Sequence, residues 1–306
     1  MGLQDGSRAE WRRRSQASWT GCMEGKASKQ KPGKALLAMS CGGYMSPHPA
    51  KVDSGGEDAF FVSPAALDTA EPWLGAAGVA DGVGGWGEDG VDPGDYARKL
   101  MQACKSAAGP PAWRTPQQVL EYAQLGTELP GSATACVLIQ RADGRLAAAN
   151  LGDCGFRIIR NGKVVAKSEV QQHEFNMPYQ LACPKVLPET DLASDADLYE
   201  VDVEDGDVVV LGSDGLFDNM WDEQLVGVVT SFVGKNTRRS SEDAATLAER
   251  LASAAAFNAG NAEYRSPWAV SAANAGVGSL LTRLFPRGGK LDDTTVIVAF
   301  MNRRGT

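Results

Sequence analysis

The chain has 306 residues, 43% hydrophobic and 22% charged, with a formal net charge of −8 at pH 7. That length buries one large core or two small ones, and the mixture is ordinary for a globular protein. The acidic balance argues against a general nucleic-acid binder and disfavours adsorption on an anionic lipid surface by charge alone; basic substrate segments or a metal site suit it better.

Residues 1–38 carry Arg8, Arg12, Arg13, Arg14, Lys26, Lys29, Lys31 and Lys34 among serines and few large apolar side chains. A basic, serine-containing leader reads as an organelle transit segment. Asp5, Glu10 and Glu24 leave a plain disordered tail as the alternative. Folded sequence begins near Leu36, giving a domain over 39–302 and a short tail over 303–306. No run approaches 18 apolar residues, so no transmembrane segment is expected and membrane contact is at most peripheral.

Gly55-Gly56-Glu57-Asp58 leads into a short strand, Ala59 to Val62. Leu74 to Ala80 reads as a buried strand that delivers Asp81 onto the glycine turn Gly82-Val83-Gly84-Gly85. Glycine lets the backbone approach whatever the carboxylate holds and leaves the Gly82 carbonyl free to point at it. Asp92 then caps a helix with Pro93 at its first position, and Tyr96, Leu100, Met101 and Cys104 form its apolar face. Gly109-Pro110-Pro111 stops it, and a second helix runs from Pro116 to about Leu125.

From Gly131 the period changes to two. Ala133–Ile139, Arg145–Asn150, Phe156–Arg160 and Lys163–Lys167 read as an antiparallel meander, with hairpin turns at Asp143-Gly144 and Asn161-Gly162. Asp153 lies in a glycine-flanked break within it. His173 follows in Gln171–Asn176, then a loop to about Asp197; a single loop histidine is more often a hydrogen-bonded surface group than a substrate contact. Strands Leu198–Val203 and Val208–Gly212 come next, the second ending in Ser213-Asp214-Gly215. Asp222 is placed as the cap of a helix through Val233, and Ser240 to Asp243 as a capping box opening a helix to about Ala259. Residues 264–290 read as a loop before Asp292-Asp293 and a closing strand through Val298.

Asp-Gly after a strand is by itself most often only a turn. Here Glu57/Asp58, Asp81, Asp214 and Asp292/Asp293 all border strands, with Asp153 as a fifth site. Carboxylates converging in a partly dry site repel unless a cation joins them. Carboxylates and a bare carbonyl are hard oxygen ligands, suited to Mg²⁺ or Mn²⁺. The two histidines and six scattered cysteines, with no C-x-x-C pair, point away from zinc and from a disulfide framework.

In order between Ser46 and Met301, the segments GED, ADGVGGW, GSATA, NLGDCG, GSDGLFDN and LDDTTVIV resemble the metal-dependent protein phosphatase family of the 2C type. ADGVGGW, QQHEFN and a GG-K-DD ending resemble its Ptc7-like branch of mitochondria and plastids. SPHPAKVDSGGEDAFFVS, GSDGLFDNMWD, YRSPWAV and RGGKLDDTTVIVAF are similar to the photosystem II core phosphatases of plants and algae. The resemblance implies an α+β fold, a four-layer αββα sandwich of two antiparallel sheets flanked by helices. It implies a Ser/Thr phosphoprotein phosphatase that uses a metal-activated water and two Mg²⁺ or Mn²⁺ ions, with Asp153 marking a third. Asp81 would bridge the two ions with the Gly82 carbonyl on one of them. Asp214 and Asp292 would complete the other, and Glu57 and Asp58 would act directly or through water.

The finer resemblance implies phosphorylated photosystem II core subunits of the thylakoid as substrates and a chloroplast location. A mitochondrial Ptc7-like phosphatase, a pseudophosphatase that binds phosphoproteins, and a small-metabolite phosphohydrolase are the alternatives. Two positions depart from the family pattern. Val83 stands where many members have a histidine, a proposed general acid, and Asp53 stands where a phosphate-binding arginine is common. Lys51 and His173 are the candidate replacements as phosphate or substrate contacts.

Overall fold

Alternation of apolar side chains, two residues per repeat, sorts the strands of this chain into faces, and three apolar layers follow. A computed structural model describes residues 37–64, 73–109, 114–141, 143–234 and 239–303. All but two residues of the 1–38 leader lie outside these; Leu37 and Ala38 open the first strand. The strands are β1 (Leu37–Ser46), β2 (Asp58–Pro64), β3 (Trp73–Gly82), β4 (Ala133–Arg141), β5 (Arg145–Leu151), β6 (Gly155–Arg160), β7 (Lys163–Lys167), β8 (Gln172–Glu174), β9 (Met177–Pro178), β10 (Asp197–Asp202), β11 (Val208–Gly212) and β12 (Thr294–Arg303). The helices are α1 (Pro93–Ala107), α2 (Pro116–Gly126), α3 (Asp214–Phe217), α4 (Asp222–Val233), α5 (Ser241–Ala259), α6 (Pro267–Asn274) and α7 (Leu280–Leu284).

Two five-stranded antiparallel sheets, ordered β1-β12-β11-β6-β7 and β10-β5-β4-β3-β2, form the centre. Ala77, Val79, Cys136 and Leu138 of one sheet pack against Phe156, Leu211, Ile297 and Met301 of the other. The outer face of the β3 sheet carries Ala76, Ala80 and Val137 against Tyr96, Leu100 and Leu120 of α1 and α2. The outer face of the β12 sheet carries Val210, Val296 and Val298 against Leu225 of α4 and Leu247 and Leu251 of α5. This is the expected αββα layering. Each fully buried Leu or Phe contributes about 1.5–3 kcal/mol, so three such layers hold strand ends in place against charge repulsion at one edge.

Local signals set the helices. The Asp92 carboxylate accepts from Gly94 N at 2.9 Å with Pro93 in the first turn, and Ser240 and Asp243 cap α5 reciprocally. Asn161 and Gly162 both take positive φ, 50° and 73°, in the β6–β7 hairpin turn.

Three sequence expectations are corrected. The strands β4 to β7 are not one meander: β5 pairs with β4 and β10, whereas β6 pairs with β11 and β7. The glycine-flanked break at Gly152-Asp153-Cys154 is where the chain crosses between sheets. Asp222 is not the cap of α4, which Trp221 precedes; its carboxylate binds Arg157 Nε at 2.7 Å and Lys167 Nζ at 3.2 Å instead. The segment 264–290 is not a plain loop, since α6 and α7 form within it. Among the described residues no helix is long and apolar enough to cross a membrane, and the five cysteines there are buried and unpaired.

Candidate metal centre

The same alternation that builds the inter-sheet core places the acids. Asp81 continues the inward face of Ala77 and Val79 at the end of β3, and lies opposite Asp58 in the β2–β3 register. Across the sandwich, β11 ends at Gly212 just before Ser213 and Asp214, and β12 begins just after Asp292 and Asp293. Gly212 and Val296 are register partners, so these two strand ends also meet. Asp153, from the crossing between sheets, closes the group. Carboxylate oxygens of Asp81, Asp153 and Asp214 lie within 4.8 Å of one another.

Both Asp-Gly pairs need their glycine for space. A Cβ on Gly82 would lie 2.6 Å from the Pro93 carbonyl oxygen, and one on Gly215 would lie 2.1 Å from the Asp293 carbonyl oxygen. The turns carrying Asp81 and Asp214 are thus packed directly on neighbouring backbone.

Two lysines meet part of the charge. Lys290 Nζ pairs with Asp214, with Asp292 at 3.1 Å and with Asp218 at 3.2 Å. Asn219 fixes that segment, donating to the carbonyls of Gly215 and Lys290 and accepting from Lys290 N. Lys51 Nζ lies 2.5 Å from Glu57 Oε2 and 3.6 Å from Asp293 Oδ2. Asp293, 2% exposed, accepts from His48 N at 2.6 Å and Glu57 N at 2.7 Å, so it pins the Glu57 loop to the start of β12.

Eight carboxylates, from Glu57, Asp58, Asp81, Asp153, Asp214, Asp218, Asp292 and Asp293, therefore share two ammonium groups. Burial, reinforced by Asp214, Asp58, Asp292 and Asp153, holds the Asp81 carboxyl well above the usual range. Burial likewise raises Asp153, with Asp214 adding to it. Asp58 is pushed up to about 8 by burial despite its hydrogen bond from Ser213 Oγ. Burial and Asp214 push Asp218 to about 7 and also raise Asp292. Lys290 moves the other way: burial disfavours its charge, but the surrounding carboxylates outweigh that and raise its pKa.

One oxygen each of Asp58, Asp153 and Asp214 is buried with no hydrogen-bond donor. Orphaned carboxylate oxygens are costly, and several facing one another fit a hard divalent cation as the missing partner. The residues present thus suit Mg²⁺ or Mn²⁺.

The structure gathers Asp58, Asp81, Asp153 and Asp214 directly and ties in Asp292 through Lys290. Glu57 and Lys51 form an adjoining pair. His173 stands apart in its contacts: Nε2 lies 3.0 Å from both Asp191 oxygens and the ring stacks on Tyr179 at 4.0 Å. Val83 is partly buried, its N–H bonded to the Ser132 carbonyl. Sequence reasoning gave no role to Lys290, Asp218 or Asn219, although all three lie inside the quoted segments.

No protein-family model matches the chain. It is 40% identical over 271 residues to probable protein phosphatase 2C 80 of Arabidopsis thaliana, covering 88% of this chain and 59% of that protein. It is 38% identical to probable protein phosphatase 2C 26 of the same plant, covering 89% and 87%. It is 36% identical to the protein phosphatase PTC7 homolog fig of Drosophila pseudoobscura pseudoobscura, covering 81% and 73%. The chain spans only 59% and 52% of the length of the first two curated relatives it matches. Among solved structures, it resembles the photosystem II phosphatase PBCP with TM-score 0.74 at 33% identity, over 86% of this chain and 98% of that one. The catalytic domain of the serine/threonine phosphatase PstP in complex with two manganese ions shares the fold, with TM-score 0.57 at 16% identity over 87% and 99% of the two chains.

Proposed function

The chain belongs to the metal-dependent protein phosphatase 2C family, and on that premise we propose that it hydrolyses phosphoserine and phosphothreonine in proteins. The observation that supports this most is the convergence of Asp81, Asp153 and Asp214, with a buried, unpartnered oxygen on each of Asp153, Asp214 and neighbouring Asp58. A pure binding module has no need to keep so many repelling acids together.

In this reading Asp81, the Gly82 carbonyl, Asp214 and Asp292 hold two divalent ions, with Glu57 and Asp58 completing their surroundings and Asp153 serving a third. When bound, such ions activate water and neutralise charge developing on a phosphoryl group. The chain's own residues do the rest. Lys51, 30% exposed beside Glu57, supplies a cation for the substrate phosphate in place of the arginine that Asp53 replaces. Asp293 holds the loop that aims Glu57. Val83 carries no proton to give, and His173 is engaged by Asp191.

The finer reading is a chloroplast enzyme acting on photosystem II core subunits. It is supported by the likeness to PBCP, while the PTC7 homolog leaves the mitochondrial reading as the competitor. The test is hydrolysis of a phosphothreonine peptide by the full chain with Mn²⁺, with chelator, and as Asp81→Asn. Activity that needs Mn²⁺ and vanishes in Asp81→Asn is expected; full activity in that variant or in chelator sinks the proposal. Phosphorylated thylakoids compared with the peptide then test the substrate. A reporter fused to residues 1–38 tests the compartment, and delivery to mitochondria or retention in the cytosol overturns it.

A further inference from the structure

Beside the metal centre the chain makes an excursion whose outer side chains are apolar and face solvent. It is pinned at its base: Gly288 N donates to the Tyr264 carbonyl at 2.7 Å, Ser266 Oγ donates to the Gly288 carbonyl at 2.6 Å, and Arg265 bridges to Gly288. Trp268 N bonds the Asp218 carbonyl, and the returning chain runs straight into Lys290 and Asp292. Inside the excursion, α6 buries Ala269 and Ala272. At its tip, α7 and the residue after it leave Leu280, Leu281, Leu284 and Phe285 between 63% and 72% exposed, and Val277 is 49% exposed. Four large apolar side chains at i, i+1, i+4 and i+5 share one side of a helical turn and together are not the scattered exposure every surface shows.

Charge singles out the same stretch. From Tyr264 to Leu291 there is no Asp or Glu, but there are Arg265, Arg283, Arg287 and Lys290, in a chain whose net charge is −8. Arg287 pairs with Glu263, and Lys290 is held by the carboxylate cluster. Arg283 and Arg265 are exposed and make no ion pair among the described residues.

We propose that the excursion 265–287 docks on an anionic lipid surface, with Leu280, Leu281, Leu284 and Phe285 entering the acyl boundary and Arg283 and Arg265 meeting lipid phosphates. Apolar insertion plus a few basic side chains is the physical recipe for an interfacial helix. The net negative charge does not forbid it. At physiological ionic strength charge is screened over about 8 Å, so only acids within that reach of the docked side chains count fully against it, and the stretch 264–291 itself carries none. A second copy joined through the same patch would set arginines against arginines, which disfavours a two-fold dimer there. The docking stands independently of what the carboxylate cluster does.

Cosedimentation of the full chain with equimolar phosphatidylcholine–phosphatidylglycerol vesicles, and with phosphatidylcholine vesicles alone, tests this. The parent should partition at least about tenfold better onto the anionic vesicles. The variant Leu280→Ser/Leu281→Ser/Leu284→Ser/Phe285→Ser should lose at least about tenfold in that partitioning, and Arg283→Glu should lose part of it. Both should keep the parent's melting temperature and its rate on a soluble phosphopeptide, since the replaced side chains are exposed. A parent that stays in the supernatant, or a variant that sediments as well as the parent, overturns the proposal. Equal binding to both vesicles overturns the charge complementarity. A concentration-dependent dimer that the serine variant abolishes, without vesicle binding, assigns the face to a second copy instead.

Discussion

Replacing Lys290 with methionine removes a positive charge from a point where three carboxylates converge. The ammonium contacts Asp214, Asp218 and Asp292, and its side chain is 20% exposed. Deleting one partner of a buried ion pair typically costs about 3–5 kcal/mol, because the remaining charge is left uncompensated. Asp292 and Asp218 are 23% and 27% exposed, so water takes up part of that cost. Methionine keeps most of the apolar stem. The expected loss in chelator at pH 8 is therefore about 2–4 kcal/mol, or roughly 5–15 °C in melting temperature for a domain of this size. Mn²⁺ should restore most of it, since a ligand that binds only the folded state stabilises that state. Thermal melts of parent and variant, each in chelator and in Mn²⁺, read both effects. A drop of less than about 2 °C in chelator would refute the compensating role of Lys290. A drop just as large in Mn²⁺ would refute the idea that a metal can take over the same carboxylates.

The raised carboxyl groups predict the pH behaviour of the metal-free protein. Asp58 at about 8 and Asp218 at about 7 keep protons that the unfolded chain releases near pH 4, so the fold binds more protons across that window and loses stability as pH rises. Each such proton is worth about 1.4 kcal/mol per pH unit while it is held, so denaturant melts in chelator should show a protein less stable at pH 8 than at pH 6 by about 4 kcal/mol from these two groups together; a flat or rising profile contradicts the sign. Asp293→Ala strands the backbone N–H groups of His48 and Glu57, and should cost about 2–4 kcal/mol by urea denaturation; a loss under about 1 kcal/mol would show that Asp293 does not pin the Glu57 loop. Gly215→Ala should destabilise by about 2 kcal/mol or more, because its Cβ would meet the Asp293 carbonyl at 2.1 Å. Gly227→Ala, in open space on α4, should stabilise by about 0.5–1 kcal/mol. Finding the same sign for both glycine variants would undo the packing argument.

What the sequence made legible is local. Asp81 and Asp214 could be found because each follows an apolar strand and precedes a glycine, and Asp153 because it breaks a strand pattern between two glycines. The hairpin residues fixed the β4–β5 and β6–β7 pairs for the same reason. Which sheet each pair joins depends on partners far along the chain, β3 and β10 for one, β11 for the other, and nothing near Gly152 announces the crossing. Asp222 looked like a cap because its first-turn position suits one, but Arg157 on β6 provides a stronger partner. The helix α7 was hidden because, at five residues between glycines and a proline, it is too short for a helical period to be read. Lys290 was hidden because a lysine among glycines ordinarily reads as surface; only the convergence of Asp214, Asp218 and Asp292 gives it a place. The acids of the site were thus readable one at a time, and the cations that share their charge were not.

Anomalous diffraction at the manganese edge, from crystals of the full chain grown with Mn²⁺, addresses the binding of metal most directly. Peaks held by the carboxylates of Asp81 and Asp214, with Asp292, Asp58 or Asp153 completing their surroundings, are the predicted result. Fully loaded crystals with no peak within coordinating reach of Asp81 would contradict it.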